Sequence, residues 1–203
     1  MASSFQLAPS PQPVGIFGPY IARETVTLVL REKVMSLTGD SFEIKMQNGQ
    51  PLMRVEGKLM SISGRKSVTD LNGNHLFDLV KKHLHIHATF VAEDKSGKEL
   101  LTVKSGFTLL GSKATATFTS LNGVATTLKM KGNWFDSAAE IVDEATGAVV
   151  ARIDRKLLSG RDILFGQQTY ALTVAPNVDM ALMVAMCIAM DEKNNESGGG
   201  FLG

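Results

Sequence analysis

The feature that most constrains the fold is an apolar run near the C-terminus, within PNVDMALMVAMCIAM (residues 176–190). After its first few residues, a helix drawn through this run has no polar face, so protein must enclose it. The 13 residues from Val178 to Met190 span roughly 20 Å as a helix, whereas a bilayer core is about 30 Å thick. We therefore predict a buried helix that does not cross a membrane, capped by Asn177 or Asp179 and ended by the acidic residues after Met190.

Five turn signals divide the preceding chain into hairpins of similar size. Asn-Gly favours a tight hairpin because both residues tolerate a positive φ. Each signal separates two runs rich in Val, Ile, Leu, Phe and Thr, with apolar residues on alternate positions, as in Phe42, Ile44 and Met46. Successive glycines are 24 to 26 residues apart in Asn48-Gly49, Asn72-Gly73, Ser96-Gly97, Asn122-Gly123 and Thr146-Gly147.

About twelve runs alternate in this way and are predicted strands. Antiparallel strands with one apolar face must close on themselves or stack, since open edges would aggregate. A barrel of this size is too wide for side chains alone to fill, and the apolar helix supplies the missing core. We predict an all-β fold, a closed antiparallel barrel of about twelve strands enclosing one C-terminal hydrophobic α-helix. The predicted strands are residues 25–31, 41–47, 51–56, 66–71, 75–80, 85–92, 99–104, 115–121, 124–131, 134–142, 148–155 and 168–174.

The composition predicts one domain with short flanking segments. Residues 1–19 contain Pro, Ser and Gln and no secretory pattern, which predicts a flexible leader. Residues 20–193 form the predicted barrel domain and residues 194–203 a flexible tail. The single cysteine, Cys187, suits a reducing compartment, so we predict a cytoplasmic protein. Lys plus Arg is 21 and Asp plus Glu is 20, so no net field indicates a nucleic-acid partner.

Several stretches resemble the LURP-one-related family. REKVMSLTGDSFEIKMQNGQPLMRVEGK (31–58) is similar to its opening hairpin and TDLNGNHLFDLVKK (69–82) to the next one. KGNWFDSAAEIVD (131–143) resembles its Gly-x-Trp strand and VARIDRK (150–156) the strand after it. The most specific match is YALTVAPNVDMALMVAMCIAMDE (170–192), a strand, Pro-Asn-Val-Asp and an apolar helix closed by acidic residues. The resemblance implies a tubby-like barrel and groups the chain with tubby domains, which bind phosphoinositide head groups, and with phospholipid scramblases.

Basic side chains are the candidates for binding such a head group. Lys129 and Lys131 alternate with the apolar Leu128 and Met130, so they share a face. A ligand with several phosphates needs three or four converging cations. The alternative interpretation is a charge-balanced, solvated face. The candidate lipid-binding residues are Lys129, Lys131, Arg152, Arg155, Lys156, Lys58, Arg65 and Lys66.

No metal, cofactor or catalytic site is predicted. His83, His85 and His87 share one face of a predicted strand, but side chains on one straight strand converge poorly on a single ion. A solvated face is the favoured interpretation, with a metal or pH-sensing site as the alternative. Cys187 lies among apolar residues and predicts core packing. No nucleophile elbow or phosphate-binding glycine loop is present in the sequence.

These observations favour a non-catalytic module that binds or tethers to phosphoinositide-type lipids at a membrane surface. The alternative is a protein-interaction or signalling scaffold that binds a protein partner and no lipid. A scramblase-like activity ranks lower, because the barrel needs the one long apolar segment for its interior.

Overall fold

The computed structural model describes residues 6–33, 41–57, 64–82, 88–108, 111–132, 138–154 and 169–198. Within these ranges, twelve antiparallel strands form a closed barrel in which β1 lies beside β12, and helix α1 (Met180–Gly198) follows them. The barrel with one C-terminal helix that the sequence predicts is confirmed. The strands are β1 (Val26–Lys33), β2 (Ser41–Met46), β3 (Pro51–Gly57), β4 (Lys66–Thr69), β5 (His75–Lys82), β6 (Thr89–Glu93), β7 (Glu99–Thr108), β8 (Gly111–Thr119), β9 (Ala125–Gly132), β10 (Ala138–Asp143), β11 (Val149–Asp154) and β12 (Thr169–Val174).

Each strand pairs with its neighbours in sequence, and one long-range pairing closes the sheet. In that pairing Val26 lies opposite Val174 and Arg31 opposite Thr169. The five predicted turn glycines all have positive φ, between 73° and 87°, but the residue before each of them does not. Each turn therefore places one residue in the left-handed region, unlike the two-residue type I′ turn that Asn-Gly favours, which needs two. Closure pairs the outermost strands with each other, which removes the exposed edges that would otherwise recruit other chains.

Helix α1 fills the barrel. Every residue from Ala181 to Met190 is at most 1% exposed, and the inner faces of the strands supply the surrounding apolar side chains, such as Leu28, Phe77 and Leu128. Because the strands surround the helix on all sides, no polar face is needed. The methionines are unbranched and flexible, which lets them fill an irregular interior.

The two ends of α1 differ in how well the sequence predicts them. Asp179 is the cap, since its Oδ1 accepts hydrogen bonds from the backbone N–H groups of Ala181 (2.9 Å) and Leu182 (3.2 Å). The helix, however, continues past Met190 to Gly198 and includes residues assigned to a flexible tail. The acidic residues do not end the helix, because Glu and Lys are good helix formers.

The barrel has two distinct ends, and we call one the turn end. It carries the five tight turns and the start of α1, because β1, β3, β5, β7, β9 and β11 all begin there. At the opposite end, the residues that join β1 to β2, β3 to β4, β5 to β6, β7 to β8, β9 to β10 and β11 to β12 lie partly or wholly outside the described ranges.

Residues 10–21, which we call the strap, cross the turn end. The Ser10 N–H donates to the Pro176 carbonyl (3.0 Å), and Val14 forms a parallel bridge with Val178. The sequence predicts a flexible leader over residues 1–19, whereas the structure fixes the strap against the barrel. The physical reason is that the second oxygen of Asp179 accepts hydrogen bonds from strap backbone N–H groups, which composition alone does not reveal.

Candidate functional site

The predicted basic residues do not form one cluster. Lys58, Arg155 and Lys156 lie outside the described residues, as do the three histidines at positions 83, 85 and 87. The other five candidates are described and fall into three environments: the barrel interior, an acid–base cluster on the outer surface, and a second part of the outer surface on β9 to β11.

Lys66 points into the barrel. It shares the inner face of β4 with Val68 and is 4% exposed. Its ammonium lies 2.9 Å from Oε1 of Glu192 on α1 and 5.5 Å from the centre of the Phe42 ring. Residue alternation places Lys66 there, since Val68 is a core residue two positions further along the strand. Lys66 therefore joins β4 to the helix.

Arg65 belongs to an acid–base cluster on the outer surface of β4 to β6. Its guanidinium lies 2.6 Å from Asp78 and 3.5 Å from Glu93. Asp78 also lies 3.0 Å from Nε2 of His75. Burial alone would raise the pKa of Asp78, but hydrogen bonds from Arg65 and His75 hold it below its usual value. Lys82 extends the cluster by contacting Glu93 at 2.7 Å, so each of these two cations has an acidic neighbour.

Lys129 and Lys131 lie on the outer face of β9, as the alternation with Leu128 and Met130 predicts, and both are exposed. Arg152 is separated from them by β10. Glu140 on that strand lies opposite both Lys131 and Arg152, and the Arg152 guanidinium is 3.9 Å from Asp154. The three cations thus share the outer surface, but an acidic residue lies between Lys131 and Arg152.

The basic surface continues instead across β8 to β7. The register gives two rows of outward residues, Lys104–Thr115–Lys129 and Thr102–Thr117–Thr127. Two strand spacings put the backbones of Lys104 and Lys129 about 10 Å apart. Glu144 contacts Lys129 at the margin of this surface. We call this surface the Thr/Lys face, and it consists of Thr102, Lys104, Thr115, Thr117, Thr119, Thr127, Lys129 and Lys131.

Lys104 and the threonines are not among the residues that the sequence analysis predicts, although the sequence contains a signal for them. From Leu100 to Phe135 the chain contains no Asp or Glu, while the remainder carries all 20 acidic residues. Alternation of Thr and Lys with apolar residues in this acid-free stretch predicts an outward face that is cationic and rich in hydroxyl groups.

Other chemistry is not apparent in the described part of the chain. No group of three or more His, Cys, Asp or Glu residues there could hold a metal ion. None of the helices among these residues has the length and apolarity needed to cross a membrane. Cys187 is fully buried, and burial raises the pKa of its thiol well above the usual value, which opposes formation of a nucleophilic thiolate.

Comparison with known proteins supplies the family. The LURP-one-related family model matches residues 26–191, from the start of β1 into the second half of α1. The chain belongs to the LURP-one-related family. The resemblance noted in the sequence is thereby confirmed, and the strap lies before the part of the chain that the LURP-one-related model matches.

Named LURP-one-related proteins are similar over nearly the whole chain. Protein LURP-one-related 15 of Arabidopsis thaliana is 26% identical over 197 residues, which cover 93% of this chain and 90% of the relative. Protein LURP-one-related 10 of the same plant is 25% identical over 184 residues, 87% of this chain and 94% of the relative. An X-ray structure of a protein from Arabidopsis thaliana matches with a TM-score of 0.42 and 18% identity, over 90% of this chain and 99% of that chain.

Proposed function

We propose that this LURP-one-related protein is a non-catalytic module that binds phosphoinositide-type head groups at a membrane surface through the Thr/Lys face. The observation that carries the proposal is the composition of that face. Lys104 on β7 and Lys129 and Lys131 on β9 lie on either side of the threonine hydroxyls of β8, in a stretch without acidic residues. Ammonium and hydroxyl groups both donate hydrogen bonds to phosphate oxygens.

The geometry suits a ligand with more than one phosphate. Lys104 and Lys129 flank Thr115 in one row, so phosphates spaced across a head group would each meet a separate cation. Each lysine near an anionic bilayer contributes about 1 kcal/mol. Three lysines therefore support binding that is reversible and weakened by salt.

Vesicle co-sedimentation tests this proposal. The protein is mixed with phosphatidylcholine vesicles, with and without phosphatidylinositol bisphosphate, at low and at physiological salt. The test variant is Lys104→Glu/Lys129→Glu/Lys131→Glu. The control is Lys45→Glu/Lys95→Glu/Lys98→Glu, which changes the net charge equally on other parts of the barrel. Lys66 is left unchanged because its contact with Glu192 would confound binding with folding.

We expect the wild-type protein and the control to pellet with the phosphoinositide vesicles, more at low salt, and the Thr/Lys variant to stay in solution. Equal loss in both variants would show a general charge effect and would contradict a site on this face. Retained pelleting of the Thr/Lys variant would also contradict it.

A protein-interaction scaffold is the second candidate, favoured by exposed apolar side chains at the turn end. Leu71 is 40% exposed, Leu121 52% and Val124 50%, and exposed apolar residues can mark a partner site. If the wild-type protein pellets with no vesicle at either salt concentration, the scaffold becomes the better proposal and a pull-down follows. A scramblase-like activity stays the lowest-ranked proposal, because α1 lies inside the barrel.

A further inference from the structure

Four turns at the turn end share one backbone arrangement. In residues 46–50, 70–74, 94–98 and 120–124, the first N–H donates to the carbonyl of the fifth residue, and the glycine N–H at the fourth position donates to the carbonyl of the first. All eight hydrogen bonds measure between 2.8 and 3.2 Å. The turns therefore differ from one another in their side chains, which makes them internal controls.

The turn at residues 120–124 has a different surface from the other three. Its second and fifth residues are both apolar, and they are about half exposed. Like the 46–50 turn it contains no charged residue, but no other turn of this group has two apolar residues at these positions. The second and fifth residues are Gln47 and Gln50, Leu71 and Asn74, Lys95 and Lys98, and Leu121 and Val124.

We call the turn at residues 120–124, with its exposed Leu121 and Val124, the apolar tip. Its first residue carries no charge, unlike the first residues of the 70–74 and 94–98 turns. Asp70 and Asp94 use their carboxylates to accept N–H groups of their own turns, and these side-chain and backbone hydrogen bonds lower the pKa of each, so both remain charged. Ser120 occupies that position in the fourth turn and bonds to the strap instead. Its hydroxyl accepts from the Gly15 N–H at 3.0 Å and donates to the Pro13 carbonyl at 2.9 Å.

The strap also supports the tip from behind. The Leu121 N–H donates to the Gly15 carbonyl at 2.9 Å, and the Leu121 side chain passes close to Gly18. Two apolar side chains are thus held outward by a turn that is bonded to the barrel on one side and to the strap on the other. Such a pre-ordered tip loses little conformational freedom when it binds.

The apolar tip and the Thr/Lys face belong to the same hairpin. Moving away from Leu121 and Val124, the outward residues of β8 and β9 are first Thr119 and Ala125, then Thr117 and Thr127, and then Thr115 and Lys129. Val124 and Lys129 are five residues apart, about 17 Å along the strand. Apolar, hydroxyl and cationic groups therefore follow one another in the order of the acyl, interfacial and phosphate layers of an anionic membrane.

The size of the tip also favours a membrane over a folded protein partner. A stable protein interface buries about 800 Å² on each side and involves 20–30 residues, far more than two side chains supply. A bilayer, in contrast, accepts a small apolar insertion that works together with electrostatic attraction.

Resting on the proposed function, we propose that the β8–β9 hairpin is the membrane-docking element. Leu121 and Val124 insert into the interface of an anionic bilayer, and Lys129 and Lys131 lie over its head groups. The tip of this hairpin, and not the other turns of the turn end, then enters the membrane. Part of the affinity resists salt, because burial of apolar side chains is not screened.

Site-specific fluorescence tests the insertion. The only native cysteine, Cys187, is fully buried and its thiol pKa is raised, so a thiol-reactive NBD dye labels an introduced surface cysteine selectively. Leu121→Cys places the dye at the tip, and Gln47→Cys places it at the matching position of a turn with the same backbone. With phosphatidylcholine–phosphatidylinositol bisphosphate vesicles, we expect a blue shift and quenching by doxyl-labelled lipid at position 121 and neither at position 47.

A polar tip provides the second measurement. Leu121→Gln/Val124→Gln copies the residues that the 46–50 turn already carries, so the backbone is preserved, and a thermal melt checks the fold. We expect roughly tenfold weaker vesicle binding with an unchanged salt dependence. The Lys104→Glu/Lys129→Glu/Lys131→Glu variant, in contrast, should lose the salt-dependent part of vesicle binding.

The outcomes separate the two proposals. Vesicle binding by the wild-type protein without a change at position 121, with equal changes at 121 and 47, or with full affinity in the glutamine variant would overturn insertion and leave the head-group proposal in place. Absence of vesicle binding by the wild-type protein would overturn both. A blue shift at position 121 that grows with protein concentration in the absence of vesicles would identify a second copy of the chain as the occupant and overturn insertion.

Discussion

One buried carboxylate, that of Asp179, joins the start of the helix to the strap. Its Oδ1 accepts from two N–H groups of α1, and its Oδ2 accepts from the N–H groups of Ile16 (2.9 Å) and Phe17 (2.7 Å). Burial raises the pKa of Asp179, and these four hydrogen bonds act in the opposite direction. The residue therefore caps the helix and closes the turn end with the same side chain.

Gly15 tests how closely the strap must approach Asp179. A Cβ at position 15 would lie 2.2 Å from the Asp179 Cβ, so Gly15→Ala must displace the strap or the helix cap. We expect a loss of about 1–3 kcal/mol in the free energy of unfolding, measured by urea denaturation.

The matched control is Gly18→Ala. Among the described residues, a Cβ at that position would meet only the Leu121 Cδ1, at 3.9 Å, an ordinary contact. Its unfolding midpoint should stay close to that of the wild-type protein. If both substitutions destabilise the protein equally, the cause is the general loss of a glycine and not the close approach of Gly15 to Asp179.

We expect the Asp78 carboxylate to make part of the unfolding free energy depend on pH in the acidic range. Its pKa in the folded protein lies below the ordinary value of about 3.9, so the unfolded chain binds its proton first as the pH falls. The stabilisation is therefore complete above about pH 4 and is lost as the pH falls through the lowered pKa. Asp78→Asn should reduce the slope of unfolding free energy against pH in this acidic window. An unchanged slope would mean that other carboxylates dominate.

At the scale of the elements, the hairpins were the most predictable part of the fold. All twelve strands were predicted, because alternation and the turn glycines are local signals. Strand ends were less accurate: β6 begins at Thr89, after the predicted start at residue 85, and β7 extends to Thr108, beyond residue 104. Strand ends depend on pairing with a neighbouring strand, which a local pattern does not encode.

Lys66 shows where local signals fail for the candidate site. A lysine next to Arg65 suggests a basic surface pair, but adjacent residues of a strand point to opposite faces, and the core takes Lys66 because Glu192 lies opposite it. The outward positions of Lys129 and Lys131 followed from alternation. The position of Glu140 between Lys131 and Arg152 could not be predicted in this way, since it depends on the register of β10.

The contact between Lys66 and α1 predicts a stability effect. Lys66→Ala removes the cation and leaves the Glu192 carboxylate in a largely buried position, which should cost about 3–5 kcal/mol of unfolding free energy. Lys66→Met/Glu192→Gln removes both charges and should recover most of the loss in a guanidinium chloride titration. Similar losses in the two variants would show that packing of the lysine stem is what matters.

At the scale of the whole molecule, closure depends on the helix. Twelve strands enclose more space than their own side chains fill, so β1 and β12 meet around α1. A chain that ends at Ala175 should therefore lack the cooperative thermal transition and the dispersed amide NMR signals of the full chain. A chain that ends at Gly198 retains all of α1 and should keep both. A folded, cooperative barrel without α1 would contradict the role of the helix as its core.

The position of the core element after the last strand has a consequence for synthesis. A ribosome working at about 5–20 residues per second needs roughly 10–30 s between completing β1 and completing α1. During that time the strands already made have no centre to pack against, and their apolar faces are available to chaperones or to neighbouring nascent chains. The interval, rather than the finished barrel, is where this chain is most exposed to aggregation, and slower translation would lengthen it.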